Sequence, residues 1–518
     1  MRSNFQAVRI YQILAATFNE LGWIAAHAEK DGEPLLLLQH VAQNAALITE
    51  KMGFTHLLPT GIFPVGTIGA KGFGSPYSVS DCRSLVPSVG SWDDVQLLAA
   101  NGLPMLVDFI PNHTAWEVAQ EKPELFLRCD CSGSALCECR ESIASGGYWH
   151  DEPRKEIAER RRWTDVAQLD LSSEAVWHWH RETIDFYRKM GVGGVRMDSA
   201  DHVLSTAFER TWGVRPAENF LADLVTTNHD DFLWLAECYS ASANRELSRL
   251  GCVTYDTPEN ERGLAWRDAL AERDPVVIQR AIRRATARFN DESRPMPWID
   301  CGTHDHPSPG WRYGSFLPAA LGLTLLAPTP VIHLGGNECG FDAWPHGLPE
   351  ERALLERELV CRPQPLSLRR PINWNGEWAT AVYRNVFDHC RQTVNRLQGN
   401  VAWDGTITDG SNGWNGYRVV NDDASYLVAA NFTNNTVNAR PYGIIEPGQY
   451  LVLDDAGQLA ALTRMIRSRG VKNAKALKDP ETQQITLHGV AGSYSQKQVA
   501  QEAFRVYWPL DNQIEVCS

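Results

Sequence analysis

Pro104-Met105-Leu106-Val107-Asp108-Phe109-Ile110-Pro111-Asn112-His113 is an apolar run that ends in charge. It reads as a buried strand with its polar groups gathered at the carboxyl end. The same design recurs further along the chain. Val195 leads into Arg196 and Asp198, Phe232-Leu233-Trp234-Leu235 into Glu237, and Met296-Pro297-Trp298-Ile299 into His304 and Asp305. Carboxylates at the carboxyl ends of successive buried strands are where an α/β barrel keeps its active site.

Outward from these runs, apolar segments alternate with amphipathic ones. Val8 to Ile13 reads as a strand, Leu35 to Met52 as a helix stopped by Gly53, and Phe54 to Leu58 as a strand. Trp92 to Ala100 reads as a helix, and Trp177 to Met190 as another, with Trp177, Ile184 and Tyr187 on one face. Later strands are expected at Leu233 to Ala236, Val253 to Tyr255, Pro297 to Asp300 and Pro330 to Leu334, with a last helical stripe from Val382 to Leu397. Roughly eight strand-helix units favour closure of a parallel sheet into a (β/α)8 TIM barrel. Thr114 to Asp165 interrupts the alternation, and from Asn400 short alternating runs between Asp-Gly and Asn-Gly turns read as an antiparallel β domain. Thr463 to Lys478 reads as an exposed helix inserted there. The expected organisation is a barrel over 1–113 and 166–399, an inserted domain over 114–165, and a C-terminal β domain over 400–518.

The chain has 518 residues, enough for roughly two to four domains. Hydrophobic content of 43% and charge of 22% suit a soluble globular enzyme. A net charge of -14 without a basic patch argues against a nucleic-acid partner. No apolar run has transmembrane length, and the first residues show no secretory pattern, so a cytoplasmic location without membrane attachment is expected. Nothing calls for an organic cofactor, and oligomeric state is not legible.

The ordered clusters resemble the signatures of the α-amylase superfamily, retaining α-glucan hydrolases and transglycosylases. Asp108 to Thr114 is similar to the first signature, Gly194 to His202 to the second, Leu235 to Glu237 to the third, and Thr303 to Asp305 to the fourth. Gln168-Leu169-Asp170-Leu171-Ser172 resembles an auxiliary signature. Gly74 to Asp81 resembles the segment carrying a sugar-stacking tyrosine, and Pro330 to Glu338 resembles the eighth strand. The resemblance spans nearly the whole chain. It implies the barrel, a domain inserted after the third strand, and a C-terminal β-sandwich.

The resemblance also implies roles. Asp198 is the nucleophile and Glu237 the proton donor of a double displacement, with Asp305 gripping sugar hydroxyls and distorting the ring. His113, His202 and His304 would hydrogen-bond the sugar, Tyr77 would stack on it, and Asp108 would orient Arg196. Arg196, two residues before Asp198 on a strand, points to the same side and is expected to hold that carboxyl ionised. Apolar neighbours such as Trp234 and Leu235 are expected to raise the pKa of Glu237. Asn112, Asp170 and the backbone carbonyl of His202 match positions that bind structural calcium in many members. Cys129, Cys131, Cys137 and Cys139 could form a tetrahedral zinc site, although each pair encloses one residue where structural zinc sites usually leave two or more. Free thiols and redox-labile disulfides are the alternatives.

Asp201 stands where many amylases carry a lysine that contacts sugar on the leaving-group side. Cys238-Tyr239 after the acid and His306-Pro307-Ser308 after Asp305 are also unusual. The expected substrate is an α-linked glucose oligosaccharide or polysaccharide, and water and a sugar hydroxyl are both open as acceptor. Two further readings stand beside this one. The first is a dedicated transglycosylase of glycogen or trehalose metabolism with a phosphorylated donor, in which Arg312 would matter. The second is a catalytically silent carbohydrate-binding or scaffold protein, against which the intact carboxylates argue.

Overall fold

Eight short segments whose described side chains are buried, or nearly so, form one parallel sheet: β1 (Arg9–Leu14), β2 (His56–Thr60), β3 (Leu106–Phe109), β4 (Gly194–Met197), β5 (Leu233–Ala236), β6 (Val253–Tyr255), β7 (Pro297–Asp300) and β8 (Val331–Leu334). Strands covered on both faces read as continuous apolar runs, which is why they are visible in the sequence. The computed structural model describes residues 6–14, 29–30, 33–34, 36–67, 75–127, 166–216, 220–226, 232–256, 264–291, 294, 296–304, 309–335, 381–394, 397, 399–421, 424–440, 442–468, 472–478, 485–491 and 511–516. The strand order is β2-β1-β8-β7-β6-β5-β4-β3. A parallel bridge between Leu57 and Met105 joins β2 to β3 and closes the barrel. All neighbours run parallel, so the carboxyl ends of the strands share one rim.

Gly194 opens β4 where it is wedged between β3 and β5. A Cβ there would lie 2.4 Å from the Leu233 carbonyl oxygen and 2.8 Å from Leu106 Cδ2. Backbone cannot step aside as a flexible side chain can. Gly194→Ala is therefore expected to destabilise the fold by about 3 kcal/mol, at the upper end of ordinary overpacking. A denaturant midpoint equal to that of the wild type would refute this.

The helices follow their caps. Ser91 caps Trp92–Ala100, accepting from the Asp94 N–H at 3.3 Å, and Ser173 caps Glu174–Lys189 by accepting from the Ala175 N–H at 3.3 Å. The helix expected from Leu35 to Met52 is instead an α-helix over Leu37–Gln43 and a π-helical turn over Leu47–Lys51. Asn44 causes the break, because its side-chain amide bonds the His40 carbonyl at 2.9 Å and competes with the regular ladder.

The chain divides into two compact units. The first comprises Met1–Gly263, Asp291–Trp311 and Thr329–Arg384 and contains the barrel sheet; the second comprises Leu264–Asn290, Arg312–Pro328 and Asn385–Ser518. In the second, Ala402–Asp404, Asn415–Val420, Ser425–Ala430 and Tyr450–Asp454 form an antiparallel sheet. Gln279, on the helix Pro275–Asn290, donates to the carbonyls of Gly405 and Gly416 at 2.8 Å and pins that helix to the sheet. Where an exposed helix was expected over Thr463 to Lys478, a helix ends at Ser468 and Lys472–Lys478 is a strand paired with Ile485–Ala491. Among the described residues, no helix is long and apolar enough to cross a membrane.

Candidate active site

The rim at the carboxyl ends collects Asp108 from β3, Arg196 from β4, Asp198 just beyond it, Glu237 just beyond β5, Tyr255 from the end of β6 and His304 after β7. Register explains the first contacts. Asp108 lies opposite Arg196, and Arg196 opposite Leu235, so Glu237, two residues past Leu235 and just beyond β5, emerges on the same rim.

Arg196 is the hub. Its side chain is only 2% exposed and touches three carboxylates. Nη1 donates to Asp108 Oδ1 at 3.1 Å and Asp198 Oδ1 at 3.3 Å, while Nη2 lies 2.9 Å from Glu237 Oε1. The Tyr77 hydroxyl is 3.2 Å from Nη1 and the Tyr255 hydroxyl 3.5 Å from Nη2. A planar guanidinium with several fixed donors can serve so many acceptors at once; an ammonium cannot.

Ser199 ties the two central carboxylates together. Its N–H donates to Glu237 Oε2 at 2.9 Å, and its hydroxyl donates to Asp198 Oδ2 at 3.2 Å. The backbone there has φ of 49°, uncommon for a residue other than glycine. Strain of this kind is held in place by its surroundings, here by the Ala200 N–H donating to the Glu237 carbonyl at 3.0 Å.

A second chain of hydrogen bonds runs behind the hub. Gln12 Nε2 donates to Thr60 Oγ1 at 3.1 Å and to His304 Nδ1 at 2.9 Å. The other ring nitrogen, Nε2, meets the Tyr77 hydroxyl, so His304 bridges Gln12 and Tyr77. Glu237 has one more donor, the Tyr239 hydroxyl at 2.9 Å from Oε1.

The charges balance differently from the sequence expectation. Burial, then the Glu237 carboxylate beside it, pushes the Asp198 carboxyl well above the usual range, and Arg196 offsets this only in part. Burial also pushes Glu237 upward, but Arg196, the Ser199 N–H, the Tyr239 hydroxyl and Asp198 outweigh it and hold it below its ordinary value. The reason is geometric: the guanidinium approaches Glu237 at 2.9 Å and Asp198 at 3.3 Å, and Glu237 has the extra donors. Asp108 is raised, by burial above all. His113 is pushed down to about 3, mainly by burial and secondarily by His202, so it is a neutral donor or acceptor near pH 7.

Tyr77, Asp108, His113, Arg196, Asp198, Glu237 and His304 thus all lie in the barrel unit, most of them bonded into one network. His202 sits at the edge, its Nε2 3.7 Å from Asp201 Oδ1. Asp305, Cys129, Cys131, Cys137 and Cys139 lie outside the described residues. The root of the insertion is described: His113–Ala115 pairs antiparallel with Val166–Gln168. Arg312 is engaged with Asp268 at 2.7 Å within the second unit. Sequence reasoning passed over Gln12, Thr60, Ser199 and Tyr255. Gln12 alone carried a signal, as an amide inside the apolar run of β1.

Two of the residues expected to hold calcium, Asn112 and Asp170, each have a side-chain oxygen bonded to a neighbour. Asn112 Oδ1 accepts from Gln168 Nε2 at 3.1 Å, and the same nitrogen lies 2.7 Å from the Asn112 carbonyl. Asp170 Oδ1 accepts from the Ser172 N–H and hydroxyl at 3.0 and 2.6 Å. Among the described residues, no group of three or more His, Cys, Asp and Glu is placed to hold a metal.

Solved structures share this architecture. The chain is similar to an α-amylase from Geobacillus thermoleovorans complexed with acarbose, at 14% identity and TM-score 0.57, covering 87% of this chain and 98% of that one. It is similar to a trehalose-6-phosphate hydrolase from Bacillus licheniformis at 14% identity and TM-score 0.57, covering 83% and 91%. An isomaltulose synthase from Erwinia rhapontici in complex with sucrose aligns at 14% identity and TM-score 0.57, covering 83% and 91%. No family model and no curated protein matches the chain.

Proposed function

We propose that the protein is a retaining α-glycosidase of the α-amylase type that hydrolyses or transfers α-linked glucosyl units of oligosaccharides or α-glucans. The observation that carries this reading is the pairing of Asp198 and Glu237 across Arg196, with Ser199 reaching one carboxylate by its hydroxyl and the other by its N–H. Two buried carboxylates from adjacent strands at a barrel rim suit double displacement.

Asp198 attacks the anomeric carbon, and Glu237 gives its proton to the departing oxygen. Glu237 then takes a proton from the incoming hydroxyl as the glycosyl-aspartate bond breaks. Asp305 grips the sugar's hydroxyls, as His113, His202 and His304 do by hydrogen bonds. Tyr77 presents its ring to the same sugar. It is fixed by Arg196, which lies 5.3 Å from the ring centroid, and by His304. Asp108 holds Arg196 in place. The similar structures include a trehalose-6-phosphate hydrolase and an isomaltulose synthase, so the fold does not choose the acceptor. Among the described residues Cys82, Cys238, Cys252, Cys301 and Cys390 form no disulfide, and a cytoplasmic location is the reading proposed for the chain.

The test is a product-length profile from purified protein and maltoheptaose. Only shorter products mean hydrolysis; shorter and longer ones together mean transfer. No change with maltoheptaose, trehalose, trehalose 6-phosphate or sucrose would sink the reading.

A further inference from the structure

The arrangement around Glu237 is that of an ionised carboxylate. Oε2 accepts from the Ser199 N–H at 2.9 Å, and Oε1 accepts from the Tyr239 hydroxyl at 2.9 Å and faces Arg196 Nη2 at 2.9 Å. A proton donor held by so many donors cannot donate. One of the three differs from the rest. Arg196 and Ser199 are buried in the barrel rim, whereas Tyr239 is 55% exposed. Its N–H donates to Asp201 Oδ2 at 3.1 Å, and its ring stands edge-on to Tyr255 with centroids 5.2 Å apart. The phenol therefore covers Glu237 from the solvent side, tethered through its backbone and reaching the carboxylate with its tip.

We propose that Tyr239 is a positioning residue that holds Glu237 ionised while the site is empty and is displaced by the sugar that enters beside Glu237. This rests on the assignment of Glu237 as proton donor. When the phenol leaves, Glu237 takes up one proton: an O–H bond forms on Oε1 as one breaks in solvent hydronium, and Asp198 supplies the carboxylate nucleophile. The lowered Glu237 carboxyl agrees with the resting state that these three donors describe. Asp201 fixes the backbone from which the phenol reaches.

Other charges facing Glu237 set a background that Tyr239 modulates. They are Arg196 and Asp198 from the fourth strand and its end, Asp108 behind Arg196, the Tyr255 hydroxyl from the sixth strand, and His113, which Glu237 influences. Arg196 and Ser199 remain in Tyr239→Phe, so the phenol's share can be read separately.

The test is a carboxyl-13C titration of glutamate-labelled protein, with Glu237→Gln identifying the resonance. In the free protein Tyr239→Phe should move the Glu237 midpoint upward, and Asp201→Ala should move it in the same direction by less. An unmoved midpoint in Tyr239→Phe, with circular dichroism unchanged, overturns the proposal. The pH profile tests displacement. The alkaline limb of kcat/KM, which reports the free enzyme, should rise in Tyr239→Phe, while that of kcat stays in place. Equal movement of both limbs would mean that the phenol stays on Glu237 in the loaded site, and would overturn displacement. Protein inactive on every glucan defeats the assignment of function, and the titration midpoint still decides the role of Tyr239.

Discussion

Asp198→Asn removes turnover by on the order of 10^4-fold or more and at the same time stabilises the fold by about 1 kcal/mol. The loss follows from removing the nucleophile, for which an amide is no substitute. The gain follows from what the carboxylate costs. Burial and the neighbouring Glu237 raise the Asp198 pKa in the folded protein above its unfolded value, so the native state binds more protons than the unfolded one. Stability from this group therefore falls as pH rises from the unfolded carboxylate pKa, about 3.9, through the raised folded one. Asparagine has no such slope, and its Oδ1 can still accept from Arg196. The advantage of Asp198→Asn should widen with pH across that window and vanish below it. Glu237→Gln should behave oppositely in stability. Its folded pKa is lowered, so its contribution is present above the unfolded glutamate value and lost on acidification. The variant should lose turnover by about 10^2- to 10^4-fold and also lose stability at neutral pH. Thermal melts of both variants from pH 4 to pH 8 check this; two parallel curves would contradict the charge assignment.

The strands and the rim groups were legible because burial writes itself into sequence as apolar runs ending in charge. Leu106 to Asp108 and Leu233 to Glu237 are such runs, and register then brings Asp108, Arg196 and Glu237 together. The ionisation of the pair was not legible. It depends on which carboxylate the guanidinium approaches more closely and on donors such as Ser199 N–H, which any residue type except proline would supply. Apolar neighbours did predict an upward push on Glu237, and burial does exert it, but short-range donors exceed it. The break at Asn44 was hidden for a similar reason: an asparagine between Gln43 and Ala45 marks a competing hydrogen bond only once its partner, the His40 carbonyl, is known.

Arg196→Met should be the most destabilising change in the site, by about 3–5 kcal/mol near neutral pH, because it leaves Asp108, Asp198 and Glu237 facing one another in a buried rim. Methionine approximates the stem of arginine, so lost packing is a minor part of the effect. The carboxylates can escape mutual repulsion only by taking up protons. Their folded pKa values then rise above the unfolded ones, and the variant's stability must fall with increasing pH throughout that interval. The deficit relative to wild type should be small near pH 4, where protonation is cheap, and grow toward pH 8. Arg196→Lys should lie between the two. One ammonium preserves the charge but cannot face Asp108 and Asp198 with one nitrogen and Glu237 with another. Denaturant unfolding of both variants at several pH values separates charge from shape. Arg196→Met as stable as wild type at pH 8 would mean that the three carboxylates find other partners, and the guanidinium would lose its place as the hub of the site.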